Sequence, residues 1–136
     1  MSIRTISHRA DLQRRFTNAH QSVIAEYYQV CQLVLLTPRY WRGFEGRVTR
    51  RKSGEVVVGA YRNIKDLGNL ARDQQVRPVG QFRVQFVWGG SGKTPPVVVH
   101  EGATLRNGTR IPARRFTRVA RREAQWGNAF VQGFKA

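Results

Sequence analysis

Between Ala10 and Leu36 the apolar residues Leu12, Phe16, Ala19, Val23, Tyr27, Val30 and Val34 recur at steps of four, three, four, four, three and four. Only a helix places such a series on one face, because its period of 3.6 residues returns every third or fourth side chain to the same side. No glycine or proline interrupts the series before "TPRYWRGFEG", where Pro38, Gly43 and Gly46 end it. The spacing therefore predicts one helix over residues 10–36, about 39 Å long at 1.5 Å per residue. That exceeds what a 136-residue chain needs for an internal helix. Part of it is expected to lie on a sheet and part to reach a neighbouring subunit. Cys31 falls within the stripe as a small buried hydrophobe. As the single cysteine of the chain it can form neither an intramolecular disulfide nor a cysteine-based metal cluster.

Past the helix the pattern changes from a period of 3.6 to a period of 2. "GRVTRRKSGEVVVGAY" reads as a hairpin with its turn at "KSGE" and a buried strand at Val56 to Val58. "RNIKDLGNLARDQQV" carries turn chemistry at Asp66, Gly68 and Asn69 and is expected to form a short helix or an irregular arm. In "GQFRVQFVW", Phe82, Val84, Phe86 and Trp88 alternate with Arg83, Gln85 and Val87, as in a half-buried strand. "VVVH" is expected to pair with it across "GGSGKTPP". A last helix is expected from Pro112 to Gln132, with Phe116, Val119, Ala120, Ala124 and Val131 inward and Arg114, Arg115, Arg118, Arg121 and Arg122 as a basic outer ridge. This order argues a single α+β domain over residues 1–136. It would hold an antiparallel sheet of about four strands, with the long N-terminal helix and the C-terminal helix packed on one face.

Charge narrows the partners. The chain has 24 Lys plus Arg against 8 Asp plus Glu, a formal net charge of +16. Arginine supplies 20 of those cations, and its planar fork suits bidentate contact with phosphate or carboxylate. The charge is spread along the chain, at Arg14 and Arg15, at Arg50, Arg51 and Lys52, and from Arg110 to Arg122. Solubility alone does not account for it, and acidic or phosphate-rich neighbours are expected. The N-terminus has no apolar core of the kind a secretory signal needs, and the run "LVLL" is far too short for a bilayer. A soluble protein made in a reducing compartment, with no membrane partner, is expected.

Catalytic and cofactor signatures are weak. "GSGKT" looks like the end of a phosphate-binding loop, but the glycine that loop requires five positions before Gly92 is Val87 here. A turn between two strands is the simpler reading. His8, His20 and His100 have no metal spacing to another ligand except the neighbouring Glu101, and adjacent residues on a strand would point to opposite faces. The eight carboxylates are dispersed, and with so many arginines several are expected to be paired. No catalytic residue, cofactor or metal site is assigned, and no enzyme is expected.

Two segments carry a resemblance. "VVVHEGATLRNGTRIPARRFTRVA" has a His100-Glu101-Gly102 turn leading to Pro112, Ala113, Arg114 and Phe116, and "DLGNLARDQ" presents Asp66, Gly68, Leu70 and Arg72. Both resemble the tail-completion, or head-to-tail joining, proteins of tailed bacteriophages. Leu67, Asp73 and Arg115 depart from that family's usual Thr, Ser and second Pro. The resemblance spans Asp66 to Ala120 by motif and the rest by layout, including the long N-terminal helix.

The resemblance implies a structural virion protein of the neck, made in the host cytoplasm and placed between the capsid portal and the tail. It would be a self-associating ring, six-fold or twelve-fold, acting as a tail-completion, tail-terminator or connector layer. Its implied partners are further copies of itself, the adjoining connector and tail-tube proteins, and double-stranded DNA contacted without sequence preference. In such a ring Arg114, Arg118, Arg121 and Arg122 would face the DNA channel or an acidic neighbour. Two loops, one with Arg50, Arg51 and Lys52 and one with Gly89, Gly90 and Lys93, would be inter-subunit arms or else ordinary surface loops. The alternative is a ribosomal or other RNA-associated basic protein, a class in which small arginine-rich α+β domains are common.

Overall fold

The computed structural model describes residues 3–51, 53–64, 69–89 and 96–136. Its elements begin with α1 (Ile3–Leu36), β1 (Arg39–Tyr40), β2 (Val48–Arg50), β3 (Val56–Val58), β4 (Tyr61–Arg62) and α2 (Asn69–Arg72). They continue with β5 (Gln75–Gly80), β6 (Arg83–Val87), α3 (Pro96–Glu101), β7 (Ala103–Thr104), β8 (Arg110–Ile111), α4 (Phe116–Glu123) and α5 (Trp126–Lys135). The class is α+β. Lys52, Asp66, Gly68, Gly90 and Lys93 lie outside the described residues.

Contacts divide the chain into two compact units, one of residues 1–30 with 123–136 and one of residues 31–122. In the first, the N-terminal part of α1 crosses α5 at very short range. A β-carbon added at Gly133 would lie 2.6 Å from the Asn18 carbonyl oxygen and 2.8 Å from the Ala19 Cα. Only glycine on α5 opposite alanine on α1 permits that approach. Beside the crossing, Phe16 packs edge-on against Phe134 at 5.4 Å and Phe130 at 6.2 Å, and Tyr27 stacks on Trp126 at 5.3 Å. Arg15 donates to the Phe134 carbonyl at 3.2 Å and Arg14 to that of Ala136 at 3.4 Å, which engages carbonyls that the last helical turn leaves open.

Helix α1 is 34 residues long, about 50 Å at 1.5 Å per residue. It starts at Ile3, before the apolar stripe does. At its other end the Thr37 hydroxyl and amide both bond the Leu33 carbonyl, and Pro38 follows. Proline disfavours the helical conformation of the residue before it, which stops the helix there.

The second unit holds the strands. Among the described residues they form four two-stranded antiparallel ladders, β1 with β4, β2 with β3, β5 with β6 and β7 with β8, and not one four-stranded sheet. Glycines at positive φ, such as Gly59 between β3 and β4, bend the chain before a ladder can lengthen. The β2–β3 hairpin is in the expected place, with Val48 opposite Val58 and Arg50 opposite Val56. Val56 to Val58 is not a buried strand, however. Val56 and Val58 are exposed, because a ladder of two strands covers neither of its own faces.

The second hairpin differs more. β6 pairs with β5, Val76 opposite Phe86 and Pro78 opposite Val84, around a two-residue connection at Gln81 and Phe82. "VVVH" does not pair with it, because it forms α3 with Pro96 as its first residue. Proline at a first helical position gives up no internal hydrogen bond, and this outweighs the modest strand preference of three valines. The C-terminal helix is likewise two helices, α4 and α5, interrupted at Ala124 and Gln125. Pro112 precedes α4 without joining it. Val131 is exposed, and Ala129 and Gly133 take the inward positions.

The core of the second unit centres on Phe116, with Cys31, Val34 and Leu35 also fully buried. Trp88 and His100 both meet the Phe116 ring edge-on at 5.2 Å. The buried Gln74 side-chain oxygen accepts from the Trp88 indole N–H and the Gln32 amide, each at 3.0 Å. Gln32 also donates to the Ala71 carbonyl at 2.9 Å, tying α1 to α2. Buried polar groups must find such partners or leave their desolvation uncompensated.

Candidate anion-facing site

The second unit gathers arginines around one aromatic ring. Phe44 is buried in the turn between β1 and β2. The guanidinium carbons of Arg114, Arg62 and Arg47 lie 4.7, 4.8 and 5.7 Å from its ring centroid. Such contacts are favourable because the ring face is negative, and more so where water is excluded. Arg62 is held rigidly. It is buried, and it donates to the Gly59 carbonyl at 2.8 Å, the Thr49 hydroxyl at 2.8 Å and the Arg47 carbonyl at 3.0 Å. Arg47 donates to the Arg110 carbonyl. Arg51 lies in the same region, bonded to the Asn63 carbonyl at 2.8 Å and paired with Glu55 at 3.4 Å.

Arg114 differs from these neighbours. Its Nε is buried with no hydrogen-bond partner among the described residues, and no carboxylate pairs with it there. Burial, and then the charges of Arg62 and Arg51, push its pKa down to about 10. It remains cationic at neutral pH. Burial is also the main cause of a lowered pKa at Arg62, followed by the charges of Arg51 and Arg47. Arg114 is therefore not part of the outer ridge of α4, because it lies two residues before that helix, where the extended chain turns it onto Phe44.

Three of the remaining four ridge arginines lie together. Arg118, Arg121 and Arg122 are exposed on one side of α4, while Phe116 and Ala120 are buried on the other. Arg115 does not join them, because it pairs with Glu101 at 3.1 Å. Arg50 is exposed and Arg51 half-buried at the β2–β3 hairpin, and Gly89 has φ +123 immediately after Trp88.

A second cluster joins α3 to α4. His100 and Glu101 do not point to opposite faces as they would on a strand, for they sit on helical backbone. His100 Nδ1 lies 2.7 Å from Glu101, and its Nε2 lies 2.5 Å from the Thr117 hydroxyl. The hydrogen bond from His100, then the Arg115 charge, hold the Glu101 carboxyl below the usual carboxylate range. With both ring nitrogens engaged, the imidazole ties α3 to the start of α4. Among the described residues no group of three or more metal-ligating side chains is present.

The family-motif positions have local roles. Gly102, at φ +77, would bring a β-carbon within 2.5 Å of the Ile111 carbonyl oxygen and 2.9 Å of the Ala113 nitrogen, so only glycine fits. Pro112 closes on Gly43, where an added β-carbon would lie 2.7 Å away. Phe116 is the core, Ala113 is exposed, and Leu70 and Arg72 belong to α2. Comparison with protein-family models, curated proteins and solved structures finds no match to this chain. No described helix is long and apolar enough to cross a membrane.

Sequence alone does not reveal Phe44 as the aromatic centre of the arginine cluster. "RGFEGR" offered the only signal, a phenylalanine between two glycines and flanked by arginines. Arg62 and Arg114 lie far along the chain from it, and nothing in the sequence announces that they meet there.

Proposed function

We propose that the chain is a structural, ring-forming subunit of a tailed-bacteriophage neck, located between the portal and the tail. In that ring the outer side of α4 is turned toward double-stranded DNA in the channel. One observation carries the DNA-facing part. Arg118, Arg121 and Arg122, at i, i+3 and i+4, share the exposed side of an eight-residue helix whose other side is anchored in the core by Phe116 and Ala120. Neither Arg118 nor Arg122 pairs with a carboxylate among the described residues. A rigid row of guanidinium groups contacts phosphates without reading bases, as a channel that passes any sequence requires. The motif resemblance from Asp66 to Ala120 supports the neck assignment, and the charge of +16 supports a polyanionic neighbour.

The assignment is tested by counting copies of the chain in purified tailed particles by quantitative peptide mass spectrometry. Six or twelve copies per particle are expected. Absence from particles, with the chain co-sedimenting with ribosomes, would retire the neck reading in favour of an RNA-associated protein. The channel-facing role is tested by the double reversal Arg118→Glu/Arg122→Glu. Particles should still assemble but retain or eject DNA poorly. Failure of assembly would place the ridge against protein instead.

A further inference from the structure

We infer that the guanidinium cluster around Phe44 is a phosphate-binding site, completed by an oxyanion that no described residue supplies. The site lies apart from the α4 ridge and does not depend on the neck assignment.

Buried charges in folded proteins are ordinarily paired, since removing an ion from water is unfavourable unless an opposite charge or several hydrogen bonds replace the solvent. Arg62 meets that condition with three acceptors, and Arg51 meets it with Glu55 and a carbonyl. Arg114 does not. It is half-buried, with the Phe44 ring, a buried Nε that has no partner among the described residues, and two cationic neighbours that repel it. Arg47, half-exposed, has a single carbonyl acceptor, which leaves donors of its fork unused.

An apolar or neutral residue at position 114 would avoid this arrangement. Retaining a guanidinium there has a physical rationale if an anion arrives. Arginine's fork matches tetrahedral oxyanions, and contact with the Phe44 ring holds the guanidinium groups close together before any ligand arrives. Several cations, with Glu55 the only carboxylate paired with them among the described residues, favour a phosphate over a monovalent carboxylate. The phosphate could be free in solution or belong to a nucleic-acid backbone. The recognising chemistry is the same.

The direct experiment titrates the full-length wild-type chain with inorganic phosphate at constant ionic strength, with acetate as control, and follows the arginine Nε–H resonances by NMR. Phosphate should shift the Arg114 and Arg47 resonances in a saturable way, and acetate should not. Shifts of equal size with both anions, or none with phosphate, would overturn the site. A second titration with a short DNA duplex separates the sources. Displacement of phosphate at these resonances identifies backbone phosphate as the ligand, and no displacement identifies free phosphate.

Substitution gives an independent arm. In chloride, Arg114→Met should melt at or above the wild-type temperature, because a half-buried charge with an unpartnered Nε and repelling neighbours is gone. Phosphate should raise the melting temperature of the wild type and of Arg118→Gln but not that of Arg114→Met. A clear fall in melting temperature for Arg114→Met in chloride would mean that the guanidinium is structural and would overturn the proposal. If that variant fails to fold, it counts against the proposal in the same way. Arg47→Gln then provides the remaining check, with at least a tenfold loss of phosphate affinity expected.

Discussion

The two units are closed by different means. In the unit of residues 1–30 and 123–136, two helices meet at Ala19 and Gly133, and aromatic rings fill the flank of the crossing. Its five cations Arg4, Arg9, Arg14, Arg15 and Lys135 face the three carboxylates Asp11, Glu26 and Glu123, a formal charge of only +2. Most of the chain's formal +16 therefore lies in residues 31–122. There, short ladders and helices surround Phe116, and guanidinium groups occupy places that aliphatic side chains would fill in an ordinary core. The first unit depends on shape and little on solvent ions. The second holds excess positive charge in place, so its properties should respond to the anions around it.

The largest expected effect lies at the centre of the second unit. Phe116→Ala removes the side chain that Trp88 and His100 both pack against and should lower stability by about 4 kcal/mol. Urea unfolding followed by Trp fluorescence measures this. A loss under about 1 kcal/mol would mean that the guanidinium groups and short ladders hold this unit without a conventional core.

Next in size is the corresponding change in the first unit. Gly133→Ala puts a methyl group within 2.6 Å of the Asn18 carbonyl and the Ser22 β-carbon. Backbone on α1 cannot move aside as a flexible side chain could, so the helices must separate. Overpacking of this kind costs about 2 kcal/mol. It should exceed the gain of about 1 kcal/mol from replacing glycine within a helix. Hydrogen exchange is the measurement: amides of α5 should lose protection while those of β5 and β6 keep theirs. Equal loss in both places would show that the two units unfold as one and would weaken the contrast.

How much of this was legible in the sequence follows from the range of the interactions involved. The stripe from Leu12 to Val34 was legible because helix periodicity is a local property repeated many times. The β2–β3 hairpin was legible because "KSGE" marks its turn. β5 was not, since "QVRPVG" carries Pro78 and Gly80 inside a strand and its ladder is bulged at that point. The break at Ala124 and Gln125 has neither glycine nor proline to announce it. Of the site, the exposed ridge at Arg118, Arg121 and Arg122 was readable from spacing alone. Arg114 shares their composition and their neighbourhood, but its orientation is decided by Phe44, seventy residues earlier.

The smallest expected effect concerns acid. Glu101 in the second unit and Asp11 in the first both have lowered pKa values. The leading causes differ: a hydrogen bond from His100 for Glu101, and one from Arg14, then Arg15, for Asp11. A carboxylate whose folded pKa lies below its unfolded one contributes stability above the unfolded value and loses it as the pH falls through the folded one. Both contributions should therefore fade below about pH 4. Because these groups are solvent-exposed, each effect should be slight and weakened by salt. They should nonetheless differ in where they are felt. Glu101 holds His100 and Arg115 together and so links α3 to the start of α4, whereas the partners of Asp11 are one turn away on its own helix. Glu101→Gln should flatten the acid limb of hydrogen exchange in α3 and α4, and Asp11→Asn should leave that limb unchanged. If Asp11→Asn altered exchange in α4 as much as Glu101→Gln did, acid sensitivity would be a property of the whole chain and not of the unit that carries its excess charge.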